Sequence, residues 1–286
     1  MVFLPNFHLE DSNQLQHPEF FNVPNSRHHY LARGQEEHLG VWTIPAETRA
    51  GETSSCDNRV FCNNHTTIIY LHGQTGHRGL EYRVGLYKAL RRFGFNIVTF
   101  DYRGFGDSVP SLETNTVARA LEDVAAVTNW VLEAGARNVI IWGHSLGSAL
   151  AVHFLASPQA PAAACGLVLM SPFNNLQDAM YDHKWAAPWR MLIPRTLFYW
   201  LFRPRPELSL APDSLMPDLK VPVLLLHSQD DPVISVELAR KLFSARARDS
   251  NIQFVELLNN YGHNNLYRAK ELRSLMKKMN NNCNSR

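Results

Sequence analysis

Val139-Ile140-Ile141-Trp142-Gly143-His144-Ser145-Leu146-Gly147-Ser148-Ala149-Leu150 is the stretch that decides the fold of this chain. Val139 to Trp142 reads as a buried strand, and Ser148 to Ala156 carries apolar residues at helical spacing. Between them, Gly143-His144-Ser145-Leu146-Gly147 fits G-x-S-x-G, a sharp strand-to-helix turn that stands a serine above the end of a sheet. Small residues on both sides relieve the crowding of such a turn, and Gly143 and Gly147 supply them. A plain tight-turn serine is the competing reading, but it leaves the ordered strand, turn and helix unexplained. Ser145 is therefore the candidate nucleophile.

A serine hydroxyl is a poor nucleophile until a base accepts its proton, and the base needs a carboxylate to fix its tautomer. On folds with this turn the chain order is Ser, acid, His. Of the 13 histidines, His263 in Tyr261-Gly262-His263-Asn264-Asn265 follows the last strand-like run and suits the base. The run Val223 to His227 leads into Ser228-Gln229-Asp230-Asp231-Pro232, where two aspartates compete for the role of acid. Asp231 has the better spacing from the strand end, and Asp230 reads as a turn cap or a solvated residue. Backbone N–H donors for an oxyanion are expected from Leu146, just after the nucleophile, and from Gln74 in His72-Gly73-Gln74-Thr75-Gly76. His72, His144, His153 and His227 read as packing or loop residues.

Around these motifs, short apolar runs alternate with amphipathic stretches. Strands are expected at 39–44, 67–71, 95–100, 139–142, 167–171, 221–227 and 252–257, with helices between them and a closing helix over 266–279. This pattern predicts an α/β fold with a mostly parallel central sheet flanked by helices. Residues 1–34 read as an extended lead-in, 35–279 as one domain, and 280–286 as a flexible polar tail. From Phe173 to Pro217 the alternation breaks into a segment rich in aromatics and prolines, which reads as a helical cap inserted over the strand ends. Trp185, Trp189, Phe198 and Trp200 are its candidate pocket residues, with plain core packing as the alternative.

At 286 residues, 45% hydrophobic and 19% charged, the chain is long enough for one large domain and short for two. A formal net charge of +2, without a basic stripe or nucleic-acid motif, argues against a nucleic-acid partner. Cys56, Cys62, Cys165 and Cys283 show no metal-ligand spacing, and neither metal nor cofactor is expected. Cys165 reads as a small core residue and Cys283 as part of the polar tail, which leaves Cys56 and Cys62 as the one plausible pair. A bridge there, with the glycosylation pattern Asn64-His65-Thr66, fits an oxidising compartment; free thiols and a chance pattern are equally compatible. No run approaches the roughly 18 apolar residues of a membrane span, and Met1-Val2-Phe3-Leu4 makes a poor signal peptide. The chain as written reads as soluble or peripheral. Oligomeric state is not legible.

Tyr70-Leu71-His72-Gly73, Asp101-Tyr102-Arg103-Gly104-Phe105-Gly106-Asp107-Ser108, Trp142-Gly143-His144-Ser145-Leu146-Gly147, Ser171-Pro172-Phe173 and Leu226-His227-Ser228-Gln229-Asp230-Asp231-Pro232 together resemble one group of α/β-hydrolase serine hydrolases. This is the abhydrolase-domain lysophosphatidylserine lipase and monoacylglycerol lipase subfamily. Leu39-Gly40-Val41-Trp42 extends the likeness toward the N-terminus. The resemblance implies Ser145, Asp231 and His263 as a triad, and a long-chain monoacylglycerol or lysophospholipid as substrate. It also implies an endoplasmic-reticulum or other membrane association, although the membrane-spanning helix of the typical member has no counterpart in this sequence. The loop reads His-Gly-Gln where the family suggests His-Gly-Asn, and Met170 stands where relatives look acidic. A thioesterase or small-ester hydrolase is the alternative activity, and a catalytically inert binding module the alternative class. Leu197-Phe198-Tyr199-Trp200-Leu201-Phe202, followed by Arg203 and Arg205, is a candidate membrane contact, with cap packing as the competing reading.

Overall fold

The computed structural model describes residues 9–33, 37–47, 61, 65–108, 116–246 and 251–285. Its centre is an eight-stranded sheet: β1 (Arg27–Ala32), β2 (His38–Ile44), β3 (Thr67–Leu71), β4 (Asn96–Phe100), β5 (Val139–His144), β6 (Ala164–Met170), β7 (Val223–Ser228) and β8 (Ile252–Leu257). The spatial order is β1-β2-β4-β3-β5-β6-β7-β8. β1 and β2 pair antiparallel, as do β2 and β4, and every pairing from β4 through β3 to β8 is parallel.

Parallel strands need crossovers, and the helices that make them bury both faces of the sheet. Consequently the alternating side chains of β3 and β5 enter two different cores. Ile69, Leu71, Val139 and Ile141 join the cluster of α2 (Val117–Glu133), α3 (Leu146–Leu155) and α8 (Val236–Ser244). Ile68, Tyr70, Ile140 and Trp142 join that of α1 (Glu81–Arg92) and α9 (Leu272–Asn284). Two-sided burial is why these strands read as unbroken apolar runs. Two of the crossover helices start at side-chain caps: the Thr116 hydroxyl accepts from Arg119 N at 3.2 Å, and the Ser235 hydroxyl accepts from Glu237 N at the start of α8.

Between β6 and β7 lie the short helices α4 (Leu176–Asp182), α5 (Ala187–Leu192), α6 (Arg195–Leu201) and α7 (Pro212–Leu215). Phe198 is buried among Tyr181, Trp185 and Phe202, with ring centroids 4.5 to 5.8 Å apart, so this segment has an aromatic core of its own. Asp178 on α4 ties the segment together and to the body. It accepts from Arg195 at 2.6 Å, from Lys241 of α8 at 2.9 Å, from Asn174 at 2.8 Å and from Tyr199. Burial pushes the Asp178 carboxyl up, but the hydrogen bonds from Tyr199, Lys241, Asn174 and Arg195 outweigh it and hold the group well below its ordinary range.

Three readings of the sequence need correction. The lead-in is not uniformly extended: a 3-10 helix covers Leu9–Gln16, and Arg27–Ala32 forms an edge strand. That strand escaped notice because its residues are mostly half-exposed or exposed, and side-chain bonds such as His28 Nε2 to Asp107 at 3.0 Å help anchor it. The closing helix continues past residue 279 to Asn284, because Leu272, Met276, Met279 and Cys283 form one buried stripe. Finally, Cys283 is disulfide-bonded to Cys165 on β6, so neither residue is the isolated cysteine expected. Cys56, Cys62 and Asn64 lie outside the described residues.

Candidate active site

The strand register places every motif at one edge. Leu71 pairs with Gly143, His144 with Met170, Met170 with Leu226 and Ser228 with Leu257, so the loops after β3, β5, β6, β7 and β8 emerge side by side. This is the carboxyl edge of the sheet, where open α/β sheets bind ligands.

Ser145 sits between β5 and α3 at φ 53°, ψ −116°, a backbone conformation rare outside glycine. Its N–H donates to Met170 O at 2.9 Å, which pins the turn to the neighbouring strand. The flanking glycines are dictated by space. A Cβ on Gly143 would lie 2.4 Å from Gly147 O, and one on Gly147 would lie 2.1 Å from Leu71 O. Both obstacles are backbone, so no side-chain adjustment relieves them.

Asp231 and His263 meet at 2.7 Å, Nδ1–H donating to Oδ2. The Asp231 side chain is fully buried, and Val233 N and Ile234 N donate to its Oδ1 at 2.8 and 3.0 Å. Buried His227 lies behind it, with Nε2 at 2.9 Å from Ile234 O and 3.3 Å from Asp231 Oδ2. Both neighbours are acceptors, so Nε2 carries the proton. Burial pushes the Asp231 carboxyl up, but bonds from His227, His263 and the Ile234 amide prevail and hold it far below the usual carboxylate range. Asp230 is exposed and accepts from Ser228 Oγ and from Gly262 N. The structure thus joins His263 to Asp231 and gives Asp230 a role in the turn.

Two further residues hold His263: His144, which the sequence offers only as a packing or loop residue, and Ser171, which no local pattern marks for this role. His144 Nε2–H and the Ser171 hydroxyl each donate to the His263 carbonyl at 3.1 Å. The Tyr70 hydroxyl completes the chain by donating to His144 Nδ1 at 3.3 Å. Burial, with repulsion from His263 and Arg83, keeps the His144 pKa well below the ordinary imidazole value, so it remains neutral. Ser171 itself has φ 49°, the second strained non-glycine residue at the sheet edge. His153 acts elsewhere, its Nε2 accepting from Ala211 N of the inserted segment at 3.3 Å.

Ser145, His263, Leu146 and Gln74 line one cavity of about 560 Å³, within the range of small-ligand sites. Leu80, Phe173, Trp185, Val233 and Ile234 make its apolar wall, and no Asp or Glu stands among its described lining residues. Of the four aromatic candidates only Trp185 lines it. Phe198 is consumed by the core of the inserted segment, while Trp189 and Trp200 lie outside the cavity and are partly solvent-exposed. No hydrogen bond joins Ser145 to His263 in this structure; such contacts commonly tighten only when substrate binds.

This sheet, turn and cavity define a serine ester hydrolase of the α/β-hydrolase class. The sequence profile of the family described as "Serine aminopeptidase, S33" matches residues 63–216. The chain is 32% identical over 297 residues to lysophosphatidylserine lipase ABHD12 of Macaca fascicularis, a match covering 97% of this chain and 72% of the relative. It is 30% identical over 273 residues to human Protein ABHD12B, covering 90% and 73%. The chain therefore belongs to the ABHD12 family of α/β hydrolases. Among solved structures, the Pyrococcus furiosus esterase Pf2001 shares the fold at a TM-score of 0.67 and 19% identity, with 92% of each chain covered.

Proposed function

We propose that this chain hydrolyses the carboxylic ester of a single-chain glycerolipid, a lysophospholipid or a monoacylglycerol, by covalent catalysis through Ser145. One observation carries the reading: the Ser145 turn and the Asp231-bound His263 wall the same cavity, whose remaining surface is largely apolar. With Nδ1 committed to Asp231, His263 Nε2 is the nitrogen that takes the Ser145 proton as Oγ attacks the ester carbon. The carbonyl electron pair moves onto oxygen, where the N–H groups of Leu146 and Gln74 stabilise it. Leu146 opens α3, whose N-terminal dipole favours the same charge. Collapse of this intermediate expels the glycerol oxygen, which takes the proton from His263. Water, activated by His263, then frees the fatty acid and restores Ser145.

The substrate comes from a membrane surface in this reading, because the inserted segment exposes apolar side chains. Met191 is 88% exposed and Leu192 and Trp200 are each 75% exposed, on helices that also carry Arg190 and Arg195. No described helix is long and apolar enough to cross a membrane, so the contact proposed is peripheral. Flotation with anionic vesicles is expected for the wild type and reduced for Leu192→Ser/Trp200→Ser; equal flotation of the two refutes the contact. For the activity, purified protein is expected to release fatty acid from monoacylglycerol or lysophospholipid faster than from an acyl thioester, and Ser145→Ala to release none. Preferential turnover of the thioester transfers the site to the thioesterase reading.

A further inference from the structure

The loop after β3 and the first turn of α1 each bring one fully buried arginine into the interior, and the two differ in one respect. Arg78 is neutralised: its Nη1 lies 2.5 Å from both Asp101 and Asp107. Arg83, in the first turn of α1, has no carboxylate within ion-pair distance among the described residues. Instead Nη1 donates to His77 O at 2.8 Å and Nη2 to Thr75 O at 2.5 Å, while Nε finds no acceptor. The guanidinium carbon lies 5.4 Å from the Tyr82 ring centroid. A buried cation without a counter-ion is destabilising, and cores rarely keep one unless the charge has a use.

Its surroundings indicate that use. Arg83 lies directly behind the cavity wall that Gln74, Thr75, Ser145, Leu146 and His263 form, and no described carboxylate in that wall opposes its field. The field reaches the nucleophile turn, since Arg83 is among the groups that hold His144 neutral. Because Arg83 itself has no solvent-accessible surface, a bound lipid does not touch it, and its influence passes through the loop and through space. The two carbonyls it binds belong to the loop that carries Gln74, and the fork fixes them together in a way that a single ammonium group does not.

We propose that Arg83 is a positioning residue for the oxyanion-stabilising loop, holding Thr75 and His77 so that Gln74 N–H meets the developing oxyanion, and that its charge, which forms no ion pair in the resting site, helps to stabilise that intermediate. This rests on the ester-hydrolase reading above. The negative charge that arises when Ser145 Oγ adds to the carbonyl carbon is balanced by the proton passed to His263, so Arg83 transfers no proton and stabilises the pair electrostatically. A group that acts only after attack begins changes kcat and leaves ground-state binding nearly untouched.

The test compares Arg83→Met and Arg83→Lys full-length proteins, with folding followed by circular dichroism and thermal melting. kcat and KM are measured separately on neutral monoacylglycerol and on an anionic lysophospholipid, and Ki on a trifluoromethyl ketone transition-state analogue. Arg83→Met is expected to lower kcat on the order of 100-fold on both substrates, with KM little changed and Ki raised in parallel. Arg83→Lys recovers part of the loss, because it restores charge without the fork. Wild-type kcat in Arg83→Met, or Arg83→Lys no better than Arg83→Met, overturns the proposal. A loss confined to KM for the anionic lipid also overturns it, by making Arg83 a headgroup contact. Where Arg83→Met fails to fold, the kcat and KM of Arg83→Lys decide in the same way. Failure of the underlying reading is separate: it appears as activity retained by Ser145→Ala, whatever Arg83 does.

Discussion

Replacing Asp231 with asparagine removes one atom's chemistry and leaves its shape, so its effect follows from what surrounds that carboxylate. Four N–H groups point at it: Val233 N and Ile234 N at Oδ1, His263 Nδ1 and His227 Nε2 at Oδ2. A carboxylate accepts from all of them, whereas an asparagine presents an oxygen to one pair and an NH2 donor to the other. Either the backbone amides or the two histidines then face a donor. If the histidines do, His263 must turn its lone pair to Nδ1 and carry its proton on Nε2, the wrong tautomer for a base. The loss of charge lowers kcat in either orientation, and loss of the tautomer brings the reduction to about 10⁴-fold, the size found when a triad aspartate becomes asparagine. The site is fully buried, so orphaning these donors also destabilises the protein by about 3–5 kcal/mol. Steady-state hydrolysis of a monoacyl ester and a urea unfolding curve measure the two effects, and Asp230→Asn serves as the control. Asp230 is exposed and bonds Ser228 and the Gly262 amide in the turn rather than His263, and its replacement retains most of the activity. Comparable losses in both variants, or a larger loss in Asp230→Asn, refute the assignment of the acid.

Three other perturbations probe different layers of the fold. Gly147→Ala sets a Cβ 2.1 Å from Leu71 O and 2.8 Å from His72 O, so β3 and the Ser145 turn must separate. We expect roughly 3 kcal/mol of destabilisation and about a 100-fold fall in kcat, read by thermal melting and turnover; an unchanged kcat contradicts this. Cys283→Ser opens a bridge between residues 118 apart in sequence, and about 3 kcal/mol of stability is expected to go with it. A non-reducing peptide map without the Cys165 to Cys283 cross-link would show that bridge to be absent. Burial pushes the Asp107 carboxyl up, but bonds from His28 and Arg78 hold it below its ordinary value. A depressed folded pKa contributes stability that is fully present above the unfolded value of about 3.9 and decays as pH falls below it. Asp107→Asn should therefore lower stability at neutral pH and flatten its acid dependence, as measured by urea midpoints from pH 7 to 3; an acid limb as steep as the wild type's rules this out.

The parallel strands and the Ser145 turn were legible because a strand buried on both faces must be apolar throughout, and because glycine alone fits where Gly143 and Gly147 pass other backbone. β1 was not legible, since an edge strand draws its stability from pairing with β2 and from polar anchors such as the His28 to Asp107 bond. The end of α9 was masked by three asparagines on its solvent side, although the 272, 276, 279, 283 spacing was present. At the site, chain order placed Ser145 and His263, and spacing favoured Asp231 over its neighbour. The parts of His144, Ser171 and His227 were hidden for a different reason: each acts through one bond to a residue distant in sequence or around a turn, and no local pattern encodes such convergence. The aromatic cap misled in part, because size and apolarity do not tell an aromatic that lines a cavity, such as Trp185, from one that packs a core, such as Phe198.

Covalent labelling of the purified chain by a fluorophosphonate, with the modified residue located by peptide mass spectrometry, tests the central claim most directly. The reagent phosphonylates a serine only where a base and an oxyanion site activate it. Stoichiometric adduct on Ser145, abolished in Ser145→Ala and slowed in His263→Ala, is the predicted result. An unlabelled wild type, or labelling that persists undiminished in Ser145→Ala, contradicts it.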